Sequence, residues 1–126
     1  LPHNHVRRCV VYTGTHDNDT SAGWYRSTNH RNAKERKKAE AERALCRHYA
    51  ASDGKEIHWD LIRLAMGSVA DTAIFPAQDL LGLGSDARMN LPGTADGNWS
   101  WRLRAGQLGP RVAKRLSEMT RTYGRA

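Results

Sequence analysis

The chain has 126 residues, with 20 Lys and Arg against 13 Asp and Glu and a formal charge of +7, so it is the size of one domain with a modest core. No run approaches the roughly 18 consecutive apolar residues of a membrane span, and the first residues, Leu1-Pro2-His3-Asn4-His5-Val6-Arg7-Arg8, lack the basic-then-apolar pattern of a secretory signal. Much of the basic excess lies in residues 30–47, where Glu35, Glu40 and Glu42 interleave at helical spacing and aromatics are scarce. A solvated helix face is therefore expected there, and no nucleic-acid or membrane partner.

Taken in order, Cys9-Val10-Val11-Tyr12-Thr13 is short, apolar and β-branched, the composition of a strand covered on both faces in a parallel sheet. Gly14 ends it, and the polar cluster Thr15-His16-Asp17-Asn18-Asp19-Thr20 follows. Ser21-Ala22-Gly23-Trp24-Tyr25 reads as a loop or a short turn of helix. Residues 32–49 are strong helix formers with a thin apolar stripe, so most of that helix faces water. Ser52-Asp53-Gly54 marks a turn. A second helix follows, with Ile57, Leu61, Leu64 and Ala65 on one face and Gly67 at its end.

Residues 69–75 predict a second buried strand, stopped by Pro76. Gln78-Asp79-Leu80-Leu81-Gly82-Leu83-Gly84 is a short helical turn broken by glycines. Residues 85–98 form a long loop, a kind that is usually functional in a compact domain. Trp99-Ser100-Trp101-Arg102-Leu103 alternates as a short extended piece. The last helix opens at Gly109-Pro110, with Leu108, Val112, Leu116, Met119 and Tyr123 as its buried face and Gly124 as its cap. Cys9 and Cys46 have no metal-type spacing and read as reduced, mostly buried thiols, which points to the cytoplasm.

Strand, loop, helices, strand, loop, helix is the grammar of an α/β fold with a parallel sheet. Two such strands leave apolar edges open, and the chain starts without methionine, so a piece of a longer polypeptide is expected. In βα folds functional residues collect past the carboxyl ends of strands. The cluster after the first strand and Gln78-Asp79 after the second would share that rim. Asp17-Asn18-Asp19 matches an Asp-x-Asp metal pattern but has too few oxygen donors around it. His3, His5 and His16 lack a completing ligand. Neither a metal nor a cofactor is expected.

The segment Tyr12-Thr13-Gly14-Thr15-His16-Asp17-Asn18-Asp19-Thr20 resembles the seventh barrel strand and following loop of glycoside hydrolase family 77, the amylomaltases and plant disproportionating enzymes. Gln78-Asp79-Leu80-Leu81-Gly82-Leu83-Gly84-Ser85-Asp86-Ala87-Arg88-Met89-Asn90 is similar to the loop of the eighth strand. Pro92-Gly93-Thr94-Ala95, Asn98-Trp99-Ser100-Trp101-Arg102 and Tyr123-Gly124-Arg125 extend the likeness over nearly the whole chain, in the same order.

The resemblance implies the last two βα units of a (β/α)8 TIM barrel, incomplete as given, with residues 1–126 forming one C-terminal part. It implies a retaining 4-α-glucanotransferase acting on α-1,4-glucan and malto-oligosaccharides. Retention needs a nucleophilic and an acid/base carboxylate about 5 Å apart. In the family those lie on strands four and five, in the N-terminal part of the barrel missing here. The carboxylate of the His-Asp pair after strand seven, which holds the sugar in the cleavage subsite, would be Asp17, with His16 donating to a neighbouring hydroxyl. Asn90 is a further candidate sugar contact, or else it satisfies its own loop. Trp24 is a candidate platform for glucose rings, or else it packs the short helix. The alternative is a non-catalytic glucan-binding or interaction remnant of the barrel.

Overall fold

The structure is a computed structural model that describes residues 1–125. Its two strands, β1 (Val10–Tyr12) and β2 (Thr72–Ile74), pair in parallel, with Val10 opposite Thr72, Val11 opposite Ala73 and Tyr12 opposite Ile74. Between them run α1 (Ser21–Arg26), α2 (Ala33–Ala50) and α3 (Ile57–Met66), and after β2 come α4 (Ala77–Leu80) and α5 (Pro110–Thr122). The strands are shorter than the apolar runs that predict them, because regular pairing covers only these three positions. The residues before β2 meet the first segment irregularly, with Asp71 N–H donating to Arg7 O at 2.9 Å.

Helix α2 forms for the reasons its composition suggests. Asn32 caps it, its side-chain oxygen accepting from Glu35 N–H at 2.9 Å. Arg31–Glu35, Arg36–Glu40 and Lys38–Glu42 line its wet face as i,i+4 pairs. Such exposed pairs add little stability; the helix is anchored by its buried end at Ala50 and by Arg63, which donates to Ala50 O. The helix stops at Ala51, whose left-handed φ of 48° turns the chain toward α3.

Helix α3 is the hub, touching α1, α2, α4 and α5. It buries Ile57, Trp59, Ile62, Ala65 and Met66, whereas Leu61 and Leu64 of the expected face are only half-buried. The reason is that α3 is packed on more than one side, so no single stripe describes it. Trp59, Ile62 and Met66 form the core, against which Phe75, Leu80, Val112, Leu116 and Met119 pack. Each such side chain contributes about 1.5–3 kcal/mol when fully covered. Leu108 and Tyr123, expected on the buried face of α5, remain partly in solvent. Arg115 of α5 lies 4.4 Å from the Trp59 ring centroid and pairs with Glu56 at 2.8 Å. At the C-terminal end, Gly124 adopts φ 61° and the Arg125 guanidinium donates to Met66 O at 2.6 Å and Ser68 O at 2.9 Å, closing the end of α3.

The sheet is covered less than a strand buried on both faces would be. Val10, Tyr12 and Ile74 are each more than two-fifths exposed, because the helices of this chain pack against one side only. The carboxyl ends of the strands are joined by one buried carboxylate. Asp79 of α4, 1% exposed, accepts from Thr13 Oγ1 at 2.6 Å, Ser21 N–H at 2.8 Å and Ser21 Oγ at 2.8 Å. It thus ties the end of β1 and the first turn of α1 to the segment that follows β2.

Removing this carboxylate strands a backbone N–H and two hydroxyls in a dry place. Asp79→Ala is expected to lower unfolding stability by about 2–4 kcal/mol, and Asp79→Asn, which keeps an acceptor oxygen, by about half as much. Urea denaturation of the purified chain measures both. A second expectation concerns His58 of α3, whose ring lies against the backbone of Gly82. Burial depresses its pKa below the ordinary 6.5, Glu56 and Asp79 opposing that shift and Arg115 and Arg26 adding to it. Above 6.5 neither state holds the proton; below it the unfolded chain takes up a proton that the folded chain resists. Stability should therefore fall as pH drops through this range, and less steeply in His58→Asn, as followed by the urea midpoint against pH.

Candidate active site

The loop between β1 and α1 is shaped by its own side chains. Asn18 Oδ1 accepts from Thr15 N–H at 2.8 Å and Thr15 Oγ1 at 2.9 Å, closing a tight turn that holds His16 and Asp17 at its outer edge. Asp19 accepts from Thr20 N–H at 2.8 Å and from Ser85 Oγ at 2.7 Å. Thr20 caps α1, accepting from Gly23 N–H at 3.0 Å while donating to Leu83 O at 2.7 Å. The contact with the second loop is close enough to require glycine at position 23. A Cβ there would stand 2.5 Å from Ser85 Oγ and 2.6 Å from Asp19 Oδ1.

The segment after β2 comes back over this turn. Gln78 Nε2 donates to Ala87 O at 3.1 Å inside the fold. Asn90 N–H then donates to His16 O at 3.1 Å, and Asn90 Nδ2 donates to Asp17 Oδ1 at 2.6 Å. Arg88 spans the same junction, its Nη2 donating to Asp17 O at 2.6 Å and its Nε to Asn90 O at 2.7 Å. Three of the sequence candidates, His16, Asp17 and Asn90, therefore meet. His16 Nε2 lies 3.4 Å from Asp17 Oδ2, and the two side chains are 54% and 52% exposed. One carboxylate oxygen is engaged by Asn90, while the other faces outward beside the imidazole. The alternative for Asn90, satisfying its own loop, applies to its backbone carbonyl but not to its side chain.

Trp99 stacks beside His16, with ring centroids 5.0 Å apart. It is not part of an extended strand as its alternating neighbourhood suggests. Its φ is 59°, a left-handed value rare for a bulky residue. The backbone is held by Trp99 N–H donating to Met89 O at 2.6 Å and by Arg102 Nη1 donating to Trp99 O at 2.7 Å. Asn98 secures the turn before it, accepting from Leu91 N–H and donating to Thr94. These side-chain bonds take the place of a strand partner.

A cleft of about 610 Å³ opens beside this cluster, lined by Gly14, His16, Arg88, Met89 and Trp99 among others; Asp17 lies outside its lining. Trp24 is elsewhere. It borders a separate apolar hollow of about 400 Å³ with Val11, Leu45, Tyr49 and Leu61. His3 is engaged with Tyr49, its Nδ1 2.9 Å from the phenol oxygen. No group of three or more His, Cys, Asp or Glu gathers as a metal site among the described residues. Cys9 and Cys46 are both free, and burial raises the Cys46 thiol pKa. No helix among the described residues is long and apolar enough to cross a membrane.

Sequence reasoning did not identify Arg88 or the Trp99–His16 contact, and left the role of Asp79 open. The adjacency of Arg88 to Asn90 was a signal for the first, but only the approach of the two loops reveals its target.

A family model described as 4-alpha-glucanotransferase matches residues 1–108. The 4-alpha-glucanotransferase of Synechocystis sp. is 49% identical over 99% of this chain and 23% of its own length. That of Thermus thermophilus is 48% identical over 94% of this chain and 23% of its own. The chloroplastic/amyloplastic 4-alpha-glucanotransferase of Solanum tuberosum is 44% identical over 99% of this chain and 21% of its own. The structure of an amylomaltase from Streptococcus agalactiae in complex with acarbose superimposes with a TM-score of 0.82 and 31% identity, over 98% of this chain and 23% of that one. The chain thus spans less than a quarter of each of these relatives. On the family match and these identities, the chain belongs to the 4-alpha-glucanotransferase family.

Proposed function

We propose that this chain is the part of a retaining 4-α-glucanotransferase that supplies the transition-state-stabilising carboxylate, Asp17. The full polypeptide would transfer α-1,4-glucan segments between malto-oligosaccharides or to glucose. The chain would contribute the last two βα units of a (β/α)8 barrel, a reading supported by the parallel β–α–β order and by the half-open sheet. The nucleophile and the acid/base would come from the N-terminal part of the same barrel, its principal partner. Two free thiols among the described residues are compatible with a reducing compartment such as the cytoplasm.

The observation that carries the proposal is the state of the Asp17 carboxylate. Asn90 fixes one oxygen, and the other is exposed beside His16. Glycosyl transfer proceeds through an oxocarbenium-like transition state in which the ring flattens and the hydroxyls next to the reaction centre become better donors. A fixed anionic acceptor at those hydroxyls gains strength as positive charge develops, so it favours the transition state over the bound sugar. His16, at 3.4 Å, would donate to a neighbouring hydroxyl and keep the carboxylate oriented. Asn90, whose amide is committed to Asp17, would act on the sugar mainly through that carboxylate. Trp24 would meet glucose rings only at a site apart from Asp17. Binding of acarbose by the Streptococcus agalactiae amylomaltase is compatible with glucan substrates for the family.

Two outcomes test the proposal. The purified 126-residue chain should not disproportionate maltotriose, because the paired carboxylates that retention needs would lie in the N-terminal part of the barrel; glucose with maltopentaose, or maltose with maltotetraose, detectable above a buffer blank would defeat that claim. In the full-length polypeptide, Asp17→Asn should lower turnover by orders of magnitude with only modest loss of substrate binding. Near-normal turnover in that variant would mean that Asp17 does not have this role. Binding of malto-oligosaccharide by a chain with no upstream partner would instead favour the non-catalytic remnant.

A further inference from the structure

Arg88 has no role in the reading above, yet its side chain bonds to both loops at the site. Its Nη2 reaches Asp17 O across 71 positions of sequence, and its Nε reaches Asn90 O. Both bonds are short and charge-assisted, the stronger class of hydrogen bond. The loop from Arg88 to Trp99 has its own closure, Trp99 N–H to Met89 O at 2.6 Å, so the bond to Asp17 is not needed to keep that loop folded. The turn holding Asp17 likewise has its own Asn18 closure. The Asn90 N–H to His16 O bond ties the two backbones at one point, but neither it nor the two closures hold the backbone of Asp17 itself, from which the carboxylate is placed against the amide that grips it.

We propose that Arg88 is a positioning residue for the Asp17 carboxylate. The planar guanidinium presents two donors in a fixed fork. With one tine on Asp17 O and the other on Asn90 O, it adds a second tie to the Asn90 N–H to His16 O bond, at Asp17 itself, and so holds the 2.6 Å bond from Asn90 Nδ2 to Asp17 Oδ1 in register. Lysine has a charge and a similar reach but no fork, so it cannot hold both carbonyls in one plane. The inference rests on Asp17 being the transition-state acceptor and adds what keeps it in register.

The test uses the full-length polypeptide, with maltotriose disproportionation as readout and Arg88→Ala, Arg88→Lys and Asp17→Asn as variants. A carboxylate displaced by a fraction of an ångström to 1 Å should lower kcat by about 10- to 100-fold in both Arg88 variants. KM should stay within about twofold, since the contact matters in the transition state rather than in ground-state binding. Thermal midpoints close to the parent's would separate positioning from unfolding, and Arg88→Lys, which keeps charge and packing, covers the case in which Arg88→Ala folds poorly. The proposal is overturned if kcat is unchanged in a folded Arg88 variant, if KM alone rises, or if the loss in both variants follows unfolding. An impaired Asp17→Asn beside normal Arg88 variants would overturn the positioning role alone. A normal Asp17→Asn would remove the reading on which it stands.

Discussion

The carboxylate of Asp79 is the constraint on which the rest of this architecture depends. A parallel pair of three residues each is too short to set the relation of its two following loops by backbone bonding alone. Asp79 does so by accepting from Thr13 at the end of β1 and from both donors of Ser21 at the start of α1. A buried carboxylate without donors would be costly, and here the cost is offset because the acceptors are used on groups that would otherwise be stranded. Once β1 and α1 are tied to α4, the remaining contacts follow at close quarters: Thr20 to Leu83, Asp19 to Ser85, and glycine at position 23 where no Cβ fits. Those contacts bring the second loop over the turn that carries His16 and Asp17.

Packing around that tie is one-sided. α3 and α5 enclose Trp59, Ile62 and Met66 with Phe75 and Leu80, while Val10, Tyr12 and Ile74 on the strands themselves stay nearly half exposed. Apolar surface of this kind is ordinarily covered, at about 25 cal/mol per Å². The curated relatives are more than four times longer than the segment that this chain matches. Leu61 and Leu64 line the hollow beside Trp24 and are only half-covered.

Much of this was legible in the chain. The two apolar runs, the helix-forming stretch from residue 32 and the Pro110 start predict elements found within a few residues of those positions, because each depends on local chemistry. The meeting of His16, Asp17 and Asn90 was legible as co-location on one rim, since residues past the carboxyl ends of neighbouring parallel strands must lie near each other. What was not legible depends on long-range contacts. Trp99-Ser100-Trp101 alternates like a strand, yet Arg102, Asn98 and Met89 fold it into a turn with Trp99 in the left-handed region. Leu61 and Leu64 obey helical periodicity, but a helix with four neighbours has no single inside. Arg88 reads as one of many basic residues until Asp17 O is seen beneath it.

The acidic residues near this rim show how environment assigns different work to the same functional group. An ionised carboxylate has about four acceptor sites. Asp79 uses three of them and is closed to solvent, so nothing added from outside can reach it. Asp19 has each oxygen committed, one to Thr20 and one to Ser85. Asn18, between Asp17 and Asp19, is turned inward onto Thr15. The three side chains of Asp17-Asn18-Asp19 thus point to three different tasks. Asp17 alone holds one oxygen fixed and one open, half in solvent beside an imidazole. An acceptor that is oriented but not saturated is what recognition of a polyhydroxylated ligand needs, because a saturated carboxylate has nothing left to accept and an unoriented one must be ordered at the moment of binding.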